Sequence, residues 1–112
     1  HHLLPVKYVV HVGYLPGEQV VGLSKLARIP MLLSGLPLLQ EQFTAEIANA
    51  MQRVLRTPHV AVVVQGVHEC MVVRGVEQDA TETTTSEMLG HFEQDSGGIK
   101  SEFLQLVYGA RK

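Results

Sequence analysis

The sequence predicts an α+β domain in which helices pack on one face of an antiparallel sheet. Three observations support this fold class. The chain begins with β-branched and aromatic residues that run to a Pro-Gly turn, its middle has apolar residues at helical spacing, and valine-rich stretches follow. The predicted order is two strands, two helices, three strands and a helix, which suits helices covering an antiparallel sheet.

A hairpin and a first helix are predicted in the opening third of the chain. Residues 6–15 and 19–23 have strand composition, and Pro16-Gly17 between them is a turn signal. Ser24 is a favourable N-cap for a helix over residues 25–33. Because proline lacks an N–H group and clashes with the preceding turn, we expect Pro30 to kink this helix or end it early.

The most regular helical pattern spans residues 39–56. Apolar side chains recur there at the spacing of one helix face. The helix should end near Arg56, because Thr57 precedes Pro58 and the residue before a proline disfavours helical geometry. The predicted buried stripe is Leu39, Phe43, Ile47, Met51 and Val54, and the residues off this stripe are Gln40, Glu41, Thr44, Glu46 and Arg53.

The second half of the chain predicts three strands and a closing helix. Residues 59–66 and 67–76 are rich in valine, and the threonine-rich residues 79–92 alternate loosely. A turn is expected at 95–98, where the sequence reads DSGG, and a helix is expected over 99–110.

Composition excludes several classes of protein. The 112 residues fit one domain, and 46% of them are hydrophobic. A formal net charge of −2 offers no basic surface for nucleic acid, and no apolar run reaches the ~20 residues of a membrane span. The single cysteine excludes an internal disulfide and fits a reducing, cytoplasmic compartment. We therefore expect neither nucleic acid nor membrane as a partner.

That cysteine lies in the stretch VHECMVVRGV, residues 67–76. Alternate residues of a strand share a face, so His68, Cys70 and Arg74 are predicted to point the same way. A lone cysteine is most often a small buried side chain. Together with His1 and His2, however, Cys70 and His68 form a possible zinc set, although none of these spacings alone is a strong zinc signature.

Two other clusters are candidates for binding. Ser24, Lys25 and Arg28 near a helix start suit an anion such as phosphate, although basic residues on an exposed helix face are the commoner case. Gln40 and Glu41 open the long helix, where a carboxylate often serves only to stabilise the first turn.

Taken in order, five segments resemble the C-terminal catalytic domain of GTP cyclohydrolase I. They are HHLLP, GLSKLARI, LQEQFTAEIANAM, HECMVVRGV and TTTSEMLGHF, and the resemblance runs from His1 to about Val107. It implies the tunnelling fold, in which antiparallel sheets of several subunits join into a β-barrel ring and two rings stack into a decamer. It also implies conversion of GTP to 7,8-dihydroneopterin triphosphate and formate, the first step of folate or tetrahydrobiopterin biosynthesis.

The resemblance also implies roles for ten residues around one zinc ion. His2 and Cys70 would bind zinc, and His1 and His68 would hydrogen-bond the reacting centre and move protons. Glu41, with Gln40 beside it, would hold the guanine edge. The residues expected to face the ribose and triphosphate are Ser24, Lys25, Arg28 and Arg74.

This sequence departs from the family pattern in three places, one of which is Pro30 in the predicted first helix. The family motif reads Cys-Glu-His-His, whereas the sequence begins at His1-His2, so a further zinc cysteine is expected two positions upstream, together with an N-terminal helical part. Ser34-Gly35 stands where relatives commonly have two arginines. A catalytically silent domain kept for assembly or regulation is therefore the alternative function. A nitrile reductase of the same fold has less support, because its thiol must be free of metal.

Overall fold

The fold is a three-stranded antiparallel sheet with helices packed against it. The computed structural model of the chain describes residues 6–16, 23–68 and 82–109. The strands are β1 (Val6–Tyr14), β2 (Val60–His68) and β3 (Glu82–Met88). The helices are α1 (Leu23–Leu33), α2 (Gln40–Leu55), α3 (His91–Gln94) and α4 (Ile99–Gly109), with a 3₁₀ turn (Ser96–Gly98) before α4. The predicted α+β class is confirmed.

Strand β2 lies in the centre of the sheet. It pairs with β1 from Val6↔His68 to Tyr14↔Val60 and with β3 from Ala61↔Met88 to Val67↔Glu82. The valine-rich composition of β2 follows from this position, because β-branched side chains pack well on a sheet that is covered on both faces. The sequence predicts separate strands at 59–66 and 67–76, whereas the structure has one continuous strand over Val60–His68.

Helices α1 and α2 cover one face of the sheet. Alternate β2 residues, Val60, Val62 and Val64, are fully buried against Ile47 and the rest of the inner face of α2. The other buried members of this cluster are Phe43, Ala48, Met51 and Leu55. This cluster is the main core of the domain.

The inner face of α2 is rotated relative to the predicted stripe. Phe43, Ile47 and Met51 are buried as expected, and the helix ends at the expected place, with Arg56 in the left-handed conformation. Leu39 and Val54, however, are 69% and 37% exposed, so their predicted burial is wrong. In their place the helix buries four residues of mixed polarity, namely Gln40, Thr44, Ala48 and Leu55.

Helix α1 differs from its prediction at both ends. It begins at Leu23, so Ser24 lies inside the first turn and is not the N-cap. It also continues through Pro30 to Leu33. One missing N–H is tolerated there because Leu26, Ile29 and Leu33 pack against the main core, and the Ser34 N–H closes the last turn on the Pro30 carbonyl at 2.9 Å.

The opposite face of the sheet is partly covered by α3 and α4. Ala61 and Val63 pack there against Phe92 and Phe103, whose rings meet edge to face at 6.0 Å. Gly13 permits this contact, since a Cβ at that position would lie 2.7 Å from Phe103 Cδ1. The expectation of helices on one face therefore holds for α1 and α2 but not for the C-terminal helices.

Asp95 caps the start of α4. Its Oδ1 accepts hydrogen bonds from the backbone N–H groups of Lys100 (2.9 Å) and Ser101 (3.2 Å), and its Oδ2 accepts one from the Ser101 hydroxyl at 3.0 Å. The backbone hydrogen bond from Ser101, followed by the Ser101 hydroxyl, Lys100 N–H and the Lys100 charge, holds the pKa of Asp95 below its ordinary value, against a smaller opposing effect of burial.

None of the helices in the described ranges is both long enough and apolar enough to cross a lipid bilayer. The predicted second strand, apart from Leu23, lies outside the described residues, as does the part of the 67–76 segment that follows His68.

Candidate functional site

The start of α2 brings two candidate residues next to each other in opposite surroundings. Gln40 is buried and Glu41 is exposed. The helix begins after Leu39, whose extended backbone and apolar side chain offer no capping oxygen. The Gln42 side chain instead accepts a hydrogen bond from the Leu39 N–H at 3.0 Å. The Glu41 carboxylate thus lies in solvent at the positive end of a 16-residue helix, where a negative charge is favoured.

The Gln40 side chain fastens this helix start to the sheet. Its Nε2 donates to the backbone carbonyls of Thr83 (2.8 Å) and Val64 (3.2 Å) and lies 3.3 Å from Thr85 Oγ1. Its Oε1 is buried and has no hydrogen-bond partner among the described residues. Gly66 makes room for the amide, because a Cβ on Gly66 would lie 2.7 Å from Gln40 Oε1. Helix α2 is therefore tied to both β2 and β3 at its first residue.

Two threonines complete this attachment. The Thr44 hydroxyl donates to the Gln40 backbone carbonyl at 2.9 Å and lies 2.6 Å from the Thr85 hydroxyl. Sequence reasoning placed Gln40 and Thr44 off the buried stripe and so missed this network. The available signal was the i, i+4 spacing of Gln40 and Thr44, which puts two polar side chains on one side of the helix.

Helix α1 carries the three candidate phosphate-binding residues. Ser24 and Lys25 lie in its first turn, and Arg28 follows one turn later with an exposed side chain. The helix start leaves backbone N–H groups without partners inside the helix, as an anion site requires.

Of the remaining candidates, His68 alone lies within the described residues. His68 is the last residue of β2 and pairs with Val6, the first residue of β1. His1, His2, Cys70 and Arg74 lie outside the described residues. Within the described ranges, no group of three His, Cys, Asp or Glu side chains could hold a metal ion.

Histidines outside the predicted site make structural contacts. His59 Nδ1 accepts a hydrogen bond from the His91 N–H at 3.0 Å, and the two rings stack with centroids 3.9 Å apart. His11 lies 3.2 Å from the Gln65 side-chain oxygen on the sheet face opposite α2. These histidines lie away from Gln40 and Glu41, and we assign them no role in the site.

Comparison with known proteins decides the family. The family model for GTP cyclohydrolase I matches residues 1–108. The chain belongs to the GTP cyclohydrolase I family. It is 46% identical over 108 residues to GTP cyclohydrolase 1 of Gloeobacter violaceus, a match that covers 96% of this chain and 50% of the relative.

Other relatives of the GTP cyclohydrolase I family match to a similar extent. The chain is 49% identical over 107 residues to the Homo sapiens protein, covering 96% of this chain and 42% of that relative. It is 47% identical over 107 residues to the Methylococcus capsulatus protein, covering 96% of this chain and 57% of that relative. The chain therefore spans about half the length of the curated relatives it matches.

Proposed function

We propose that the full-length protein is a zinc-dependent GTP cyclohydrolase that converts GTP to 7,8-dihydroneopterin triphosphate and formate. The family match over residues 1–108 is the observation that carries this proposal. The roles below are proposed for the residues that the sequence motifs single out.

Zinc would be held by His2 and Cys70 together with a further ligand. Imidazole and thiolate are ligands that zinc prefers. Val6 and His68 are paired in the sheet, His2 is four residues before Val6, and Cys70 is two residues after His68. The register of the sheet thus supports a shared metal site, at which zinc would act as a Lewis acid that activates water.

Protons would be moved by His1 and His68. Opening the guanine imidazole ring requires a proton at the departing ring nitrogen, and histidine is the side chain best suited to exchange protons near neutral pH. The pairing of His68 with Val6 supports this role, because His1 is only five residues before Val6 in the sequence.

Guanine would be recognised by Glu41, with Gln40 beside it. A carboxylate accepts two hydrogen bonds from the N1–H and 2-amino groups of guanine, and adenine lacks this pair of donors. The exposed position of Glu41 at the start of α2 supports the role, since its carboxylate is free to meet a ligand from solvent.

The triphosphate would be bound by Ser24, Lys25 and Arg28 on α1 and by Arg74. Lys25 and Arg28 are three residues apart, which places them on neighbouring turns of the same helix face. Guanidinium groups bind phosphate oxygens through two parallel hydrogen bonds, whereas lysine acts as a point charge.

In this proposal the enzyme is cytoplasmic and assembles into a decamer of two stacked pentamers. Its product would enter folate or tetrahydrobiopterin biosynthesis. No regulatory partner is assigned.

Zinc analysis of Cys70→Ala in the full-length protein tests the proposed metal site. Loss of the thiolate should remove most bound zinc, while the far-ultraviolet circular dichroism spectrum stays unchanged, because the substitution removes one ligand and leaves only a small cavity. His91→Ala is the matched control, since His91 is exposed and contacts His59 at the opposite end of β2 from His68. Stoichiometric zinc in Cys70→Ala would contradict the site.

A further inference from the structure

We propose that the hydroxyl groups of Thr44 and Thr85 are positioning groups for substrate recognition: they fix Gln40 and the first turn of α2 and so direct Glu41 toward its ligand. This inference rests on the proposed function, because it assigns the threonines to the guanine-binding part of that site.

The donor and the acceptor can be assigned for each hydrogen bond that the two hydroxyls make. Thr44 Oγ1 donates to the Gln40 carbonyl at 2.9 Å, so its one proton is used there. In the 2.6 Å contact between the hydroxyls, Thr85 must then be the donor. Gln40 Nε2 has two protons for three acceptors, so its two longer contacts, 3.2 Å to the Val64 carbonyl and 3.3 Å to the Thr85 oxygen, share one proton. The three residues therefore form a closed ring of hydrogen bonds from the Gln40 side chain, through both hydroxyls, back to the Gln40 backbone.

Burial makes this ring sensitive to the loss of either hydroxyl. Thr44 is 1% exposed, Gln40 is 9% exposed and Thr85 is half-buried, so bulk water is a poor substitute for a partner lost by Thr44 or Gln40. A buried polar group left without a partner costs roughly 1–3 kcal/mol, and hydrogen bonds in a chain strengthen one another. Replacing a threonine by valine keeps the shape but opens the ring.

The ring of hydrogen bonds positions Glu41 by fixing the backbone of the first turn of α2. Gln40 is the first residue of α2, and its side chain joins the helix to the carbonyls of Val64 and Thr83 on two strands. Glu41 follows directly, and its carboxylate has no hydrogen-bond partner among the described residues. The direction of the Glu41 side chain is therefore set by the backbone of the first turn, which the ring holds.

The test uses the full-length protein and four single variants. Thr44→Val and Thr85→Val each remove one hydroxyl. Thr85→Ser keeps the hydroxyl and removes only the methyl group. Thr84→Val is the matched control, because Thr84 is exposed, is paired with Gln65, and lies on the sheet face opposite α2. The readouts are KM and kcat for GTP, the preference for GTP over inosine triphosphate, which lacks the 2-amino group, and thermal melting.

We expect Thr44→Val and Thr85→Val to raise KM for GTP roughly 3- to 10-fold, the range that one or two lost hydrogen bonds predict. The value of kcat should change less than about 2-fold, and the preference for GTP over inosine triphosphate should fall by a similar factor to the rise in KM. Thr85→Ser and Thr84→Val should behave like the wild type.

A double-mutant cycle separates positioning from a merely structural role. If the hydroxyl acts through Glu41, Thr85→Val should change KM less than about 2-fold when Glu41 is already alanine. Equal effects of Thr85→Val in both backgrounds, or unchanged KM and base preference in the single variants, would overturn the inference while leaving the proposed function in place. Absence of GTP turnover by the wild type would overturn the proposed function, and the inference with it.

Discussion

At the scale of single residues, the start of α2 places an anchoring side chain, Gln40, next to the proposed guanine-binding carboxylate of Glu41. Gln40 gives its amide to the sheet, and Glu41 leaves its carboxylate in solvent. A carboxylate in the first turn of a helix contributes only ~0.3–1 kcal/mol to stability. The two neighbours should therefore respond differently to substitution.

Glu41→Ala should weaken GTP binding strongly and stability little. Truncation removes the proposed acceptor for both guanine donors, and hydrogen bonds to a charged group contribute ~1.5–3 kcal/mol, so the KM for GTP should rise at least about 10-fold. Glu46→Ala, on an exposed position of the same helix, is the control. An early-melting Glu41→Ala variant with normal KM would make Glu41 a structural residue.

Helix α2 also shows which of its buried positions can be predicted from the sequence and which cannot. The positions of Phe43, Ile47 and Met51 follow from apolar periodicity alone, and all three are buried. Gln40 and Thr44 can be buried because the Gln40 amide nitrogen donates to two strand carbonyls and the Thr44 hydroxyl contacts Thr85, all in distant parts of the chain. Periodicity contains no information about such partners, so the polar half of the face was missed.

At the scale of elements, α4 depends on a cap that precedes it. Asp95 accepts hydrogen bonds from two backbone N–H groups of the first turn of α4. The ionised carboxylate therefore stabilises the folded helix. The pKa of Asp95 is lower in the folded protein than its ordinary value of 3.8. The stability that the cap contributes is therefore fully present above pH 3.8 and is lost as the pH falls through the pKa of the folded state.

Asp95→Asn should therefore reduce stability at pH 7 by an amount that shrinks in acid. Urea unfolding at pH 7, 5 and 3 measures the difference between wild type and variant. It should be equal at pH 7 and 5 and smaller at pH 3, because protonation removes the charge from the wild type as well. Glu93→Gln, an exposed carboxylate in α3, is the control. A difference that grows in acid would contradict the assigned cap.

Helix α1 shows how tertiary contacts override a local rule. Proline should end a helix on local grounds, yet α1 passes through Pro30 because three apolar residues on one side are held by the core. The α+β class, the closing helix and the turn before it were predictable because each has its own local signal. The placement of α3 and α4 on the second face was not, since it depends on contacts such as that of Gly13 with Phe103.

At the scale of the whole molecule, neither outer strand of the sheet has a second partner within the part of the chain that the structure describes. In the described ranges β1 and β3 each pair with β2 only, and Val9 on β1 is 49% exposed. Unpaired edges of this length invite pairing with another chain, and closing a barrel across subunits removes them.

The full-length protein should therefore be a ring-shaped oligomer and not a monomer. Light scattering coupled to size exclusion measures its mass directly, and we expect a mass of about ten chains. A monomer mass would refute the ring. A pentamer would keep the barrel but remove the stacking of two rings.

Product formation from GTP tests the central claim most directly. The measurement incubates the zinc-loaded full-length protein with GTP and quantifies formate together with the fluorescent pterin obtained after oxidation of the product. We predict that both form in a 1:1 ratio, and that Cys70→Ala forms neither above background. A wild-type protein that binds zinc and GTP but releases no formate would contradict the account and would favour a catalytically silent domain.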